Sequence, residues 1–348
     1  MNVRDSELIC GLLEKNGFKL VDSNKAADIV LLNTCSVRKH AEDRVFSEVG
    51  ANKTKIVGIL GCMATNFKDD IFKISKHIDF TAGPNDIAKI PKILKSLGSH
   101  KQSFVSNKKR PESIYKNSFY SSKDHSYIVI SEGCCNYCSY CIVPYVRGPL
   151  RNRSVDHILK EVKLCLKNKR TKITLLGQNV NQYKYGKVDF ISLLDKISRI
   201  SEIKELSFLT SHSKDIDIEL FSLMKQRPNI NEDLHLPIQS GSDKILKAMN
   251  RGYKRDYYIE LAKKYKKIVN GALTTDIIVG FPGETEKDFL DTIDLMKKVK
   301  FNASFIFKYS PRPHTKASLL KDSVSLEVKK ARHAQVLALQ KKISKSLK

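Results

Sequence analysis

Three cysteines carry the clearest chemistry in this chain. Cys134, Cys138 and Cys141 are spaced C-x3-C-x2-C within SYIVISEGCCNYCSYCIVPYVRG, directly after an apolar run. Thiolates are the ligands that hold iron–sulfur clusters, and a four-iron cluster normally takes four of them. Three leave one iron open to a small chelating molecule. The competing reading is zinc, which favours four N or S ligands in paired CxxC groupings. A single trio after a strand fits the cluster better. Cys135 complicates the set, because Cys135, Cys138 and Cys141 also form an even CxxCxxC. Cys134 is the favoured ligand and Cys135 its bystander. Cys165 sits in the helical segment ILKEVKLCLKNK, where a thiol packs as a small hydrophobe.

Two more cysteines share a context. Cys35 ends DIVLLNTC and Cys62 ends KIVGILGC, so each follows an apolar strand. Ligands of open parallel sheets collect at such carboxyl edges, which lets the two thiols meet in space. Simple packing is the alternative for each. With eight cysteines and no basic, apolar, small-residue leader at the N-terminus, metal ligands and buried thiols are expected over disulfides. A cytoplasmic location follows from the same reading, and no apolar run approaches the roughly 18 to 20 residues of a membrane span.

The elements that must position these residues alternate between strand and helix. Over 1–98 the expected order is a helix near 6–16, strands at 27–33 and 55–61, helices near 37–49 and 65–76, a strand at 78–82 and a helix near 86–97. This is the pattern of a parallel α/β domain, and it opens on a helix. Residues 99–125 lack periodicity and are rich in Ser, Lys and Asn, which predicts a linker. Its KKR at 108–110 and Tyr115 and Tyr120 could touch RNA or belong to a solvated connector. From 126 to 348, six strands (126–131, 172–177, 203–209, 233–236, 272–279, 303–308) alternate with helices near 155–168, 190–200, 216–226, 243–249, 255–267 and 286–299. Six β/α repeats predict a partial barrel with its catalytic loops at the carboxyl ends of the strands. A basic amphipathic helix over 326–346 closes the chain. The formal charge of +25 favours a polyanion such as RNA, although lysines spread along nearly every helix give the same sum without a partner.

At this point the chain resembles the methylthiotransferase family of radical S-adenosylmethionine (SAM) enzymes over nearly its whole length. The carrying segments are MNVRDSE at 1–7, NTCSVR at 33–38, GCMA at 61–64, EGCCNYCSYCIVPYVRG at 132–148, LGQNVNQY at 176–183, HLPIQSGS at 235–242, DIIVGFPGET at 276–285 and YSPRPHTKA at 309–317. NTCSVR resembles the MiaB branch in particular. That likeness implies addition of a methylthio group to carbon 2 of N6-isopentenyladenosine beside the tRNA anticodon, while sister branches act on threonylcarbamoyladenosine or on a ribosomal protein. It also implies two 4Fe-4S clusters. One, on Cys134, Cys138 and Cys141, works with SAM to make an adenosyl radical; the other, on Cys35, Cys62 and a third ligand, handles sulfur. Gly177, Gln178, Asn179, Gln239 and Ser240 follow barrel strands and are expected to meet SAM. Gly280, Pro282 and Gly283 form a turn that would let backbone approach the adenine. Arg147, Arg151 and Arg153 are placed to meet RNA phosphates, their alternative being plain solvation. The implied partners are tRNA carrying isopentenyladenosine, a reductant protein such as flavodoxin or ferredoxin, and a sulfur source. No membrane contact is expected, and the protein is expected to be a monomer.

The chain departs from the family pattern in three places. The family's first N-terminal cysteine lies in a GCQMN motif, and this chain begins at the Met of that motif. The expectation is a start placed late, with a lost ligand or substitution by Cys10 as alternatives. The family's closing RNA-binding TRAM domain is also absent, which keeps a third reading open: a truncated, inactive relative that binds RNA. His314 stands where the family usually has Gly and is expected to be a turn residue rather than a catalytic one.

Overall fold

In the computed structural model, residues 1–37, 39–98, 101–116 and 119–347 are described. Arg38 of NTCSVR, residues 99, 100, 117 and 118 of the expected linker, and Lys348 lie outside the described residues. The chain divides into two compact units, Met1–Cys135 with Ile142–Arg170, and Asn136–Cys141 with Thr171–Lys348. This division differs from the one expected at 98 and 125.

The first unit opens on helix α1 (Asn2–Lys15), followed by β1 (Ile29–Thr34), α2 (Lys39–Ala51), β2 (Ile56–Gly61), α3 (Cys62–Phe67), α4 (Asp70–Ile74), β3 (Phe80–Ala82), α5 (Ile90–Lys95) and β4 (Gln102–Phe104). β1 to β4 form one parallel sheet in chain order. β2, IVGILG, is buried along nearly all its length, as a strand covered on both faces must be. Val49, Val57, Ile59, Met63, Ile71 and Ile78 form the core beneath it. The expected linker is built into this unit. β4 belongs to the sheet, Arg110, Ile114, Tyr115 and Tyr120 are buried, and Glu112–Lys116 form a 3-10 turn. Tyr115 and Tyr120 therefore face protein rather than RNA, because their rings are needed as buried partners of arginines. The unit continues with β5 (His125–Val129), β6 (Ser131–Glu132), α6 (Val143–Arg147), β7 (Arg151–Asn152) and α7 (Val155–Lys167). β6 and β7 pair antiparallel, which brackets the cysteine loop at its base. α7 starts on Ser154, whose side chain accepts from His157 N, and buries Ile158, Val162 and Cys165.

The second unit holds β8 (Lys172–Leu176), β9 (Lys184–Tyr185), β10 (Val188–Asp189), α8 (Phe190–Ser198), β11 (Glu205–Leu209), α9 (Glu219–Gln226), β12 (Leu234–His235), α10 (Asp243–Ala248), α11 (Arg255–Ile268), β13 (Leu273–Val279), α12 (Glu286–Val299), β14 (Ala303–Lys308) and α13 (Leu326–Ser346). β8 pairs parallel with β11, and β12, β13 and β14 pair parallel in that order. Within each sheet the carboxyl ends therefore share one edge. Side-chain caps fix where helices begin. Ser242 starts α10, Thr285 and Asp288 close a reciprocal capping box at α12, and Ser325 starts α13, each satisfying N–H groups that the helix itself leaves unpaired. His314 adopts φ 65, a left-handed turn conformation.

Candidate active site

The N-terminal thiols are placed by strand register. Thr34 lies opposite Gly61 across β1 and β2, so Cys35 and Cys62 leave the same carboxyl edge one residue later. Thr34 Oγ1 donates to Leu60 O at 2.7 Å and accepts from Met63 N at 3.2 Å, tying the two strand ends together. Gly61 turns the chain at φ 88, and a Cβ there would stand 2.7 Å from Thr34 O; only glycine fits. Cys35 is exposed and Cys62 buried. Burial pushes the Cys62 thiol up, and the neighbouring Arg147 pulls it partway back. Among the described residues no third cysteine joins the pair. Cys10 is half-buried on α1 and lines a cavity of 840 Å³ along β1. It stands five positions, roughly 7.5 Å, along the helix from Asp5, and its charged neighbours are Glu14 and Glu7.

Arg147 is not open to phosphate as expected. Its Nε–H donates to Cys62 Sγ at 3.3 Å and its Nη2 to Asp5 Oδ2 at 2.8 Å. Asp5 Oδ1 accepts from Arg110 at 2.7 Å, and Arg110 in turn pairs with Glu132, two residues before Cys134. Tyr115 donates to Glu132 at 2.8 Å and lies under the Arg153 guanidinium at 3.7 Å. Arg153 pairs with Glu161 at 2.6 Å, Arg4 with Glu161 at 2.9 Å and with Glu7 at 3.1 Å. Four arginines thus meet four carboxylates, all buried. Arg153 is committed to this network rather than to RNA. Arg151, partly buried, donates to Asn85 Oδ1 at 2.8 Å and to Arg147 O at 3.0 Å. Burial would raise the Asp5 carboxyl, but Arg147 and Arg110 override it and hold the group at about 2. Asp5, Arg110, Tyr115 and Glu132 carry no signal of this network in local spacing; the segments MNVRDSE and EGCC marked two of their neighbourhoods, and KKR at 108–110 and Tyr115 were read as RNA contacts or a solvated connector.

Each part of the cysteine loop is held within its own unit. In the first, Gly133 takes φ 75, and a Cβ there would stand 2.2 Å from Pro149 O. Cys134 N donates to Gly148 O at 3.2 Å, while Cys135 Sγ accepts from Leu150 N at 3.3 Å. In the second, Ser139 N donates to Met249 O, Ser139 O accepts from Ala317 N, and Cys141 N donates to Cys138 O. Asn250 reaches the carbonyls of Asn136 and Tyr137, each at 3.1 Å. Two residues missed in the sequence address the Cys138 sulfur. Arg251 Nη1 donates to it at 3.4 Å, and His212 Nε2 stands 3.8 Å away. Lys214 N donates to His212 Nδ1 at 3.3 Å, which leaves the ring proton on Nε2, toward the sulfur. Burial, with Arg251 and Lys214 nearby, holds His212 far below its ordinary value, so the ring is neutral. Donors to a thiolate sulfur stabilise its negative charge and tune whatever metal it binds.

Around the strand ends of this unit, several buried oxygens have no partner among the described residues: Gln178 Oε1, Asn179 Oδ1, Asn181 Oδ1, Gln182 Oε1, and the hydroxyls of Ser211 and Ser213. Leaving such atoms unsatisfied is costly. They fit a polar ligand seated beyond β8 and β11, as SAM would be. Non-glycine residues with positive φ sit at the same ends, Thr210 at 71 and Gln239 at 74. Gly177 and Asn179 are buried and Gln178 half-buried, with Asn179 Nδ2 donating to Asp215 at 2.6 Å. Other expected SAM contacts are used internally. Ser240 is fully buried, its Oγ accepting from Ser242 N at 3.2 Å and facing Thr292 Oγ1. In the turn after β13, Gly280 N donates to Glu284 at 2.9 Å and Gly283 N to Ser323 Oγ at 3.0 Å, and Pro282 is buried. Among the described residues no three His, Cys, Asp or Glu side chains converge as a single metal ion requires. A zinc site needs that convergence; a cubane, which takes each thiolate on a different iron, does not.

Comparison with known proteins agrees with this chemistry. Residues 128–296 match the radical SAM superfamily and residues 1–83 the family described as uncharacterized protein family UPF0004. A tRNA-2-methylthio-N(6)-dimethylallyladenosine synthase of Natranaerobius thermophilus is 39% identical over 99% of this chain and 80% of its own length. Its counterpart from Thermodesulfovibrio yellowstonii is 42% identical over 99% and 81%. Among solved structures, the radical SAM methyltransferase TsrM of Kitasatospora setae superposes with a TM-score of 0.64 at 12% identity, over 90% of this chain and 72% of that one, a likeness of fold alone. With a thiolate trio of the right spacing in the matched region and relatives that align along 99% of this chain, the chain belongs to the tRNA-2-methylthio-N(6)-dimethylallyladenosine synthase family of radical SAM enzymes.

Proposed function

We propose that the chain adds a methylthio group to carbon 2 of N6-isopentenyladenosine beside the anticodon of tRNA. The observation that carries this reading is the match of about 40% identity across 99% to 100% of the chain to relatives of that name. When bound, a 4Fe-4S cluster and SAM supply one electron and a 5′-deoxyadenosyl radical able to take a hydrogen atom from carbon. Cys134, Cys138 and Cys141 hold that cluster. Arg251 and His212 stabilise the Cys138 thiolate, and the unpartnered oxygens beyond β8 and β11 receive polar groups of SAM. Cys35 and Cys62 are ligands of a second cluster that handles sulfur, with Arg147 orienting Cys62. tRNA is drawn by the net charge of +25, the electron comes from a flavodoxin- or ferredoxin-like protein, and the work is done in the cytoplasm.

Two measurements test this. Expression in a strain lacking the modification should restore 2-methylthio-isopentenyladenosine in tRNA digests by mass spectrometry; persistent unmodified isopentenyladenosine would sink the reading. Iron and acid-labile sulfide after anaerobic reconstitution should reach about eight per chain for two four-iron clusters. About four would leave Cys35 and Cys62 without a cluster, and none would remove the radical chemistry altogether.

A further inference from the structure

The sheet of β12, β13 and β14 has one face against α13 and one turned away from it. Ser304 Oγ donates to Gln340 of α13 at 2.6 Å, and His333 of α13 meets Ile306 O at 3.1 Å. Side chains alternate along a strand, so Ala303, Phe305 and Phe307 point to the opposite face. Register carries that face across the sheet: Phe305 lies beside Asp276, Ala303 beside Thr274, and Thr274 beside His235. On it, Phe305 is 55% exposed although it sits in mid-strand. The His235 ring meets Phe305 edge-on at 5.8 Å. His235 is held between Thr274 Oγ1 at 2.9 Å and Asp276 Oδ2 at 3.4 Å, and a quarter of the Asp276 side chain, 26%, stays exposed.

An exposed ring beside a fixed carboxylate is what a nucleobase with an amino group needs: a face to stack on and an acceptor at its edge. Base-on-aromatic stacking tolerates any base, whereas a carboxylate selects an N–H donor. Adenine alkylated once at N6 keeps one such hydrogen.

We infer that Phe305 and Asp276 form the subsite for the target adenine, Phe305 stacking on the ring and Asp276 accepting its remaining N6–H. This deepens the tRNA reading and rests on it. SAM also carries an adenine, so the experiment separates the two sources. The chain contains no tryptophan, and Phe305→Trp therefore installs a single stacking reporter. In anaerobically reconstituted protein, its fluorescence should be quenched by an anticodon stem–loop oligoribonucleotide bearing N6-isopentenyladenosine, and neither by the same loop lacking that base nor by SAM alone. Phe305→Ala should weaken binding of the labelled loop about tenfold or more. Asp276→Ala should weaken it too, yet leave binding of a loop with N6,N6-dimethyladenosine, which has no N6–H, unchanged. Equal binding by wild type and Phe305→Ala, quenching by SAM alone, or equal loss of both loops in Asp276→Ala would overturn the subsite while the tRNA reading stands. A wild-type protein that binds no loop at all would overturn both.

Discussion

Arg147 shows how much one side chain can hold here. It joins the Cys62 sulfur to Asp5, and Asp5 has no water to fall back on. Removing one partner of a buried pair typically costs about 3 to 5 kcal/mol. Arg147→Met should therefore lower the chemical-denaturation midpoint sharply, whereas Lys73→Ala, which breaks the exposed Lys73–Asp70 pair, should leave it where it was. The same residues set an acid limit. Asp5 is held at about 2 in the folded chain against an ordinary value of 3.8, so its contribution is complete above that ordinary value and is lost as pH falls from roughly 4 toward 2. An acid titration followed by circular dichroism should show unfolding in that window, and Arg147→Met should move it to higher pH. The cysteines stand out in the sequence because type and spacing are local. Asp5, Arg110 and Arg147 were not, since their partners lie 105 and 142 positions away, and a buried arginine looks like a solvated one until the fold closes over it.

At the level of elements, strand ends do the positioning. The turn from β2 into α3 aims Cys62, and it depends on the left-handed Gly61. Gly61→Ala should lower the melting temperature and, by opening the turn that buries Cys62, speed the alkylation of Cys62 relative to the exposed Cys35 in metal-free protein. Gly50→Ala, in α2 with open space around it, should instead raise stability by up to about 1 kcal/mol; a loss at Gly50 would mean that helix is not doing what its geometry implies. Long elements were readable: β14 and α12 run where their apolar periods placed them, at Ala303–Lys308 and Glu286–Val299. The segment after residue 100 was misread as a linker because Ser, Lys and Asn dominate its composition. Its few anchors, Arg110, Ile114 and Tyr115, decide its burial, and composition does not weigh them.

Across the whole molecule the charge is +25, and binding to RNA should carry the signature of counterion release. Affinity for a tRNA stem–loop should fall by about 10³ or more between roughly 50 and 200 mM salt if six or more phosphates are neutralised; a flat salt dependence would mean the lysines are only a solvated coat. No helix among the described residues is long and apolar enough to cross a membrane. The four-arginine, four-carboxylate network has a different consequence, one of timing. It joins Arg4 to Glu161, residues 157 positions apart in the chain. At about 5 to 20 residues per second, α1 waits on the order of ten seconds on the ribosome before Glu161 is made. Until then Arg4 has only Glu7, and Asp5 only Arg110, to pair with, so the apolar face of α1 can pack early while the buried charge network of the first unit is completed last, when residues 147 to 161 are made.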